Sequence, residues 1–251
     1  MIEHPNAPTV GSIYSRFFQI LGQDFGLILR LGIISLVIPG VLVSFVTMAG
    51  MKSYFDAVID ELIDQTPHYG FLIYAVFPLV ITPLVMMLTA WNTSQLTYLA
   101  AARDSGVKPQ FIPILISSLR TLPVVLGLGL IVGLAVALGL CLGIVPGIIA
   151  GLALGFAIPA YICEPDISMI GALKRSIALT RNHRWTIFLV SFAAFLVHYV
   201  TNRAIHWDDV AHHFIWPALI EEATRDTFYT FTALLGPVIY LCLRDAEATG
   251  G

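Results

Sequence analysis

Long, unbroken apolar runs dominate the chain, and none alternates with a period of two. Runs of this kind fit helices that satisfy their own backbone groups, and they argue against a β-barrel. Residues 31–49 carry no charge and are long enough to cross a hydrocarbon core of about 30 Å, with Arg30 placed to reach the headgroups. Residues 71–90 form a second span, whose helix should run on through Trp91, Asn92 and Gln95 and stop near Gly106. Between Arg120 and Glu164 there is no charge at all. A single helix there would be about 64 Å long, so the chain must fold back. The break belongs at Gly143-Ile144-Val145-Pro146-Gly147, where proline cannot continue the preceding helix and glycine permits a tight turn. Spans 121–142 and 147–163 follow as a hairpin, then 185–202 and 227–243. The expected fold is all-α: a polytopic membrane protein of six transmembrane helices in a single domain.

Amphipathic stretches refine this layout. Residues 12–25, 110–120 and 168–184 each combine apolar and polar faces and each leads directly into a long apolar run. The six spans therefore read as three hairpins, each preceded by a cytoplasmic interfacial helix. On the other side, Met51, Phe55, Val58, Ile59, Leu62 and Ile63 share one helical face. Asp56, Asp60 and Asp64 form a row opposite, either a solvated acidic face or a place for a divalent cation.

Charge sets the direction. With both termini cytoplasmic, only Lys52, Arg203 and Arg225 of the 13 Lys and Arg residues fall outside, as the positive-inside rule requires. Charged residues make up 12% of the chain, about half the share of a soluble domain. The net charge of -3 comes with no basic, aromatic-rich block, so no nucleic-acid partner is expected. The first apolar run is too long for a signal-peptide core and is expected to stay as an anchor. Cys141, Cys163 and Cys242 sit in or beside apolar runs without metal-ligand spacing and read as packing residues. No cofactor is expected.

Candidate chemistry is sparse. In 168–184, Ile170, Leu173 and Ile177 make an apolar stripe surrounded by Lys174, Arg175, Arg181 and Arg184. These four cations either bind anionic lipid headgroups or only enforce topology. His206, Asp209 and His213 share one face at i, i+3 and i+7 and would make a three-ligand metal site. Val210, Phe214 and Trp216 suggest instead an interfacial helix flanked by polar residues. His198 lies inside a span, where an ionisable group is a functional candidate, against the plainer reading of a neutral imidazole bonded to a neighbouring helix near the outer interface, close to Asn202 and Arg203. With Asn92 and Gln95 it marks a candidate polar cavity. Pro39-Gly40, Pro78, Pro83, Pro159 and Gly236-Pro237 interrupt spans, as in transporters or as simple kinks. Gly147, Gly151 and Gly155, with Gly129 and Gly133, suggest close packing of the two middle spans.

The stretch 145–185 contains Pro146-Gly147 opening a span, Pro159 near its end, Glu164 at the exit, then Ala172-Leu173-Lys174-Arg175-Ser176 and Trp185. In these features it resembles a bacterial membrane-protein family. That family comprises the YciC-type inner-membrane proteins and the membrane domain joined to some glycerophosphoryl diester phosphodiesterases. The resemblance implies an inner-membrane location. It does not imply hydrolysis, because residues 244–251 are too few for a soluble phosphodiesterase domain.

No nucleophile triad, phosphate loop or catalytic carboxylate pair can be assembled from these spans and loops. The expectation is a non-enzymatic inner-membrane protein that works through contacts with the bilayer, including anionic phospholipids, or with a membrane-protein partner. Envelope maintenance and membrane-protein assembly are roles of that kind. A small-solute transporter or channel is the competing expectation, and a metal-dependent hydrolase rests only on the histidine cluster.

Overall fold

A computed structural model describes residues 8–45, 67–205 and 215–250. These residues are helical throughout apart from short turns, with no strand among them. The amphipathic segment 51–64 with its aspartates, and the His206, Asp209 and His213 cluster, lie outside the described residues.

Helix α1, Val10–Gly32, is capped by Thr9 and Ser12, each side chain accepting the other's backbone N–H. It continues through a π-helical turn, Ile33–Val37, into α2, Ile38–Phe45. The expected interfacial segment 12–25 is helical but does not lie apart from the bundle. Its apolar residues Ile13, Phe17 and Ile20 are buried in the central core. Only a kink at Asp24 separates it from the span, which therefore starts earlier than residue 31.

Helix α3, Pro67–Asp104, covers the predicted span 71–90 and runs on past Gln95. It ends in a Schellman turn, with Gly106 at φ 72° and the Val107 N–H reaching the Ala102 carbonyl at 2.9 Å. Helix α4, Phe111–Leu142, absorbs both residues 110–120 and the span, with Pro123 inside it and no break. Gly143 at φ 143° then reverses the chain into α5, Ile144–Leu154, at the predicted break. Helix α6, Ala157–Cys163, completes that apolar stretch. Helix α7, Met169–Thr180, is the one expected interfacial segment that forms a separate helix, capped by Ser168. Helices α8, Arg184–Ile205, α9, Ile215–Ala233, and α10, Leu235–Gly250, complete the bundle. Among the described residues, five helical runs are long and apolar enough to cross a membrane: Val10–Phe45, Phe111–Leu142, Ile144–Cys163, Arg184–Arg203 and Leu219–Thr249. The chain is thus a multi-pass membrane protein.

Three interruptions fall where a proline acts on the chain, whereas Pro78, Pro83 and Pro123 sit inside unbroken helices. Proline has no N–H for the carbonyl four residues back, and its ring crowds that carbonyl. Four residues before Pro39 is Ser35, in the π turn; four before Pro159 is Gly155, between α5 and α6; four before Pro237 is Ala233, where α9 ends. The predicted span 227–243 is therefore two helices meeting at Leu234, and α9 begins well before residue 227.

Packing departs from three sequential hairpins. The α4–α5 pair does form one, with Gly139 so close to Gly147 that a Cβ at Gly139 would lie 2.9 Å from the Gly147 Cα. The first run, however, packs chiefly on α9 rather than α3. Gly32 faces Thr230, Gly40 faces Asp226, and Phe25 stacks on Phe231 with centroids 5.2 Å apart. Two glycines on one helix let the partner approach closely, and this outweighs adjacency in sequence. Gly129 and Gly133 likewise face Ala90 and Met86 of α3 rather than α5.

Candidate functional site

One end of the bundle is closed by a partly buried ionic network. Arg16 pairs with Asp104, and with Asp245 at 2.8 Å. Arg244 reaches Asp104 at 2.5 Å and Asp245 at 3.1 Å. Asp24, at the α1 kink, pairs with Arg103 near the end of α3. These contacts tie α1, α3 and α10 together.

A second group lies where α6 meets α7. Glu164 accepts from Arg175 Nε at 2.6 Å and from the Tyr240 hydroxyl at 2.7 Å, both on Oε1. Arg175 also grips Glu247 with both terminal nitrogens, at 3.0 and 2.6 Å. The hydrogen bond to Glu247, opposed by partial burial and reinforced by Glu164, holds the Arg175 pKa above its usual value. Its guanidinium is therefore permanently charged and internally engaged.

The four cations of the 168–184 segment are placed differently from one another. Ala172, Ser176, Leu179 and Thr180 face the protein, and Ser176 donates to the Ala153 carbonyl at 2.7 Å. Lys174 and Arg181 are exposed, as are Ile170 and Ile177. At i, i+4, i+7 and i+11, Ile170, Lys174, Ile177 and Arg181 form one outward stripe of alternating apolar and cationic character. Arg175 lies away from that stripe in its ion pairs, and Arg184 has its Nε buried without a partner.

The candidate polar cavity residues also separate. Asn92 is fully buried and donates to Ser35 Oγ at 2.9 Å and Thr230 Oγ1 at 3.4 Å, leaving its Oδ1 unpartnered. Gln95 is fully buried with neither side-chain polar atom partnered. His198 instead lines a cavity of about 420 Å³. Tyr229, edge-on to His198 with centroids 6.4 Å apart, lines the same cavity. So do Gly155 and Phe156 from one proline break, and Ala233 and Gly236 from the other. A second cavity of about 570 Å³, between α3, α4 and the α5–α6 break, shares Thr93, Gly155 and Tyr229 with the first. Both volumes fall in the range of about 300–1,000 Å³ typical of ligand pockets.

Tyr229 had no motif to mark it in the sequence. It joins the site because α9 starts early and breaks at Leu234. The ionic network was equally hidden, since its partners are brought together from distant segments. Among the described residues, no three His, Cys, Asp or Glu side chains cluster to hold a metal ion. Comparison of the chain with family models, with curated proteins and with solved structures found no match.

Proposed function

We propose that this chain is a non-enzymatic, six-span protein of the bacterial cytoplasmic membrane that acts through contact with anionic lipid at its cytoplasmic face. The observation that carries the reading is the outward stripe of α7, where Ile170 and Ile177 offer apolar surface beside the exposed cations Lys174 and Arg181. Such a face suits the boundary between acyl chains and headgroups, at about 1 kcal/mol per basic residue. The long helix Pro67–Asp104 supplies the sixth crossing. The bias of Lys and Arg then puts both termini, the ionic network and α7 on the inner side. The resemblance of residues 145–185 to the YciC-type family supports the inner-membrane location.

A non-enzymatic role is supported by the state of five carboxylates in the ionic network and the α6–α7 group. Asp24, Asp104, Glu164, Asp245 and Glu247 are all engaged by arginines rather than aimed at an open cleft. Envelope maintenance or membrane-protein assembly, with a membrane-protein partner, are roles such a scaffold would fill.

The test is native mass spectrometry from mixed micelles containing phosphatidylglycerol and phosphatidylcholine. The wild-type chain should retain phosphatidylglycerol preferentially, and K174Q/R181Q should retain roughly thirtyfold less. Equal retention by both forms would overturn the headgroup reading. A reporter fused in the turn after Arg181 that reads as external would overturn the orientation.

A second reading, a small-solute transporter or channel, is favoured by one specific observation. Two proline-broken helices face each other across a single cavity, as the discontinuous helices of many transporters do. Flux of a candidate solute into proteoliposomes, abolished by filling that cavity, would select it.

A further inference from the structure

The two cavities differ in character along their length. The larger is walled by Met86, Ala90, Gly129, Gly133, Leu130 and Ile158, with no charged residue among the described ones. Its width comes from the glycines: a Cβ at Gly133 would only just touch Met86, at 3.9 Å. The smaller cavity adds hydrogen-bonding groups to apolar walls. Two of its hydroxyls are turned back on their own helices: Thr93 donates to the Thr89 carbonyl, and Thr232 to those of Phe228 and Tyr229. The phenol of Tyr229 and the imidazole of His198 have no hydrogen bond to another described residue. With Ser191, whose hydroxyl likewise has no hydrogen bond to another described residue, the cavity holds three side chains with hydrogen-bonding capacity left over, and Tyr229 stands where the apolar cleft joins it.

Depth and charge narrow the ligand. His198 lies about 21 Å along α8 from Arg184 and about 7.5 Å from Arg203, inside the apolar run and toward its far end. Among the described residues, no Lys or Arg lines either cavity. A phosphate placed against these linings would lose hydration without gaining a cation from them, which is strongly unfavourable. A hydroxyl or carbonyl needs only one or two hydrogen bonds, and Tyr229 and His198 supply them. An apolar chain on the same molecule would follow the shared wall at Thr93 and Gly155 into the larger cleft.

We propose that the joined cavities bind one uncharged long-chain amphiphile, its hydroxyl or carbonyl head at Tyr229 and His198 and its chain along Met86, Gly129 and Gly133. This rests on the reading of the chain as embedded in lipid and acting through lipid contact, but it concerns a different lipid class and different residues from the α7 stripe.

The experiment uses the full chain in micelles containing equal amounts of dioleoylglycerol and dioleoylphosphatidylglycerol, which share their chains and differ in charge. Native mass spectrometry should show one retained dioleoylglycerol per chain. Y229F, which removes one oxygen and leaves the cleft intact, should weaken that retention up to about tenfold with phosphatidylglycerol unchanged. G133L, which fills the cleft, should abolish it, and K174Q/R181Q should leave it intact. The proposal falls if no dioleoylglycerol is retained, if Y229F retains as much as wild type, or if phosphatidylglycerol competes for the same place. Loss of phosphatidylglycerol selectivity alone would count only against the α7 reading, and loss of dioleoylglycerol alone only against this one.

Discussion

Glu164 and Arg175 stand 2.6 Å apart across the turn between α6 and α7, joined carboxylate to guanidinium. The same carboxylate oxygen takes the Tyr240 hydroxyl, and the same guanidinium clamps Glu247, so three separate segments are fixed by one pair. This pairing gives a structural reason for an acid at the end of one span and a cation in the following helix.

Replacing Glu164 with Gln keeps the shape but removes the charge that Arg175 and Tyr240 address. Hydrogen bonds to a charged group contribute about 1.5–3 kcal/mol, and E164Q should destabilise the protein by that order. Thermal unfolding in mild detergent reads it. R175K should not restore a wild-type melt, because one ammonium cannot replace a planar fork that engages two carboxylates. An unchanged melt for both variants would show the group to be incidental.

Gly139 and Gly147 give a sharper packing test. A Cβ at Gly139 would meet backbone, which cannot rotate away, so G139A should cost about 1–3 kcal/mol through overpacking. Gly26 has open space around the same position, and G26A should be neutral or slightly stabilising through helix propensity. If the two substitutions behave alike in unfolding, the close approach of α4 and α5 is not present in solution.

Asn92 looks essential by burial, yet its removal should be mild. Ser35 and Thr230 keep their own bonds to the Leu31 and Asp226 carbonyls, so neither hydroxyl is orphaned by N92A. The expected loss is about 0.5–1.5 kcal/mol, and most of it should vanish in a cycle against S35A. A loss well above that range, unaffected by S35A, would mean that Asn92 supports something other than this contact.

The break at Leu234 should depend on Pro237. P237A restores an N–H to the chain and removes the ring that crowds the Ala233 carbonyl, so α9 and α10 should join into one helix. Spin labels at Thr224 and Thr249 would then approach the separation of a straight helix, about 37 Å, and exceed the wild-type distance. Equal distances in the two proteins would assign the break to packing around the cavity instead of to proline.

Local features of this protein were legible because local covalent and solvation effects create them. A run without charge must lie in lipid, Gly143 with Pro146 must turn the chain, and Gly106 must stop α3, whatever surrounds them. Backbone hydrogen bonding alone enforces each of these. Even there, continuity was misjudged: 12–25 and 110–120 join the helices that follow them, because an amphipathic segment without a breaker has no reason to end.

Which faces meet was decided by tertiary structure. The first run chose α9 because Gly32 and Gly40 remove side-chain bulk at two levels and Phe25 finds Phe231, a complementarity between segments far apart in the chain. The same long-range pairing separated Arg175 from Lys174 and Arg181, and Asn92 from His198, although each set sits together by type. His198 and Tyr229 share a cavity only because two proline breaks, each predictable alone, face each other. Composition and spacing thus fixed the helices, and close packing of small residues fixed their partners.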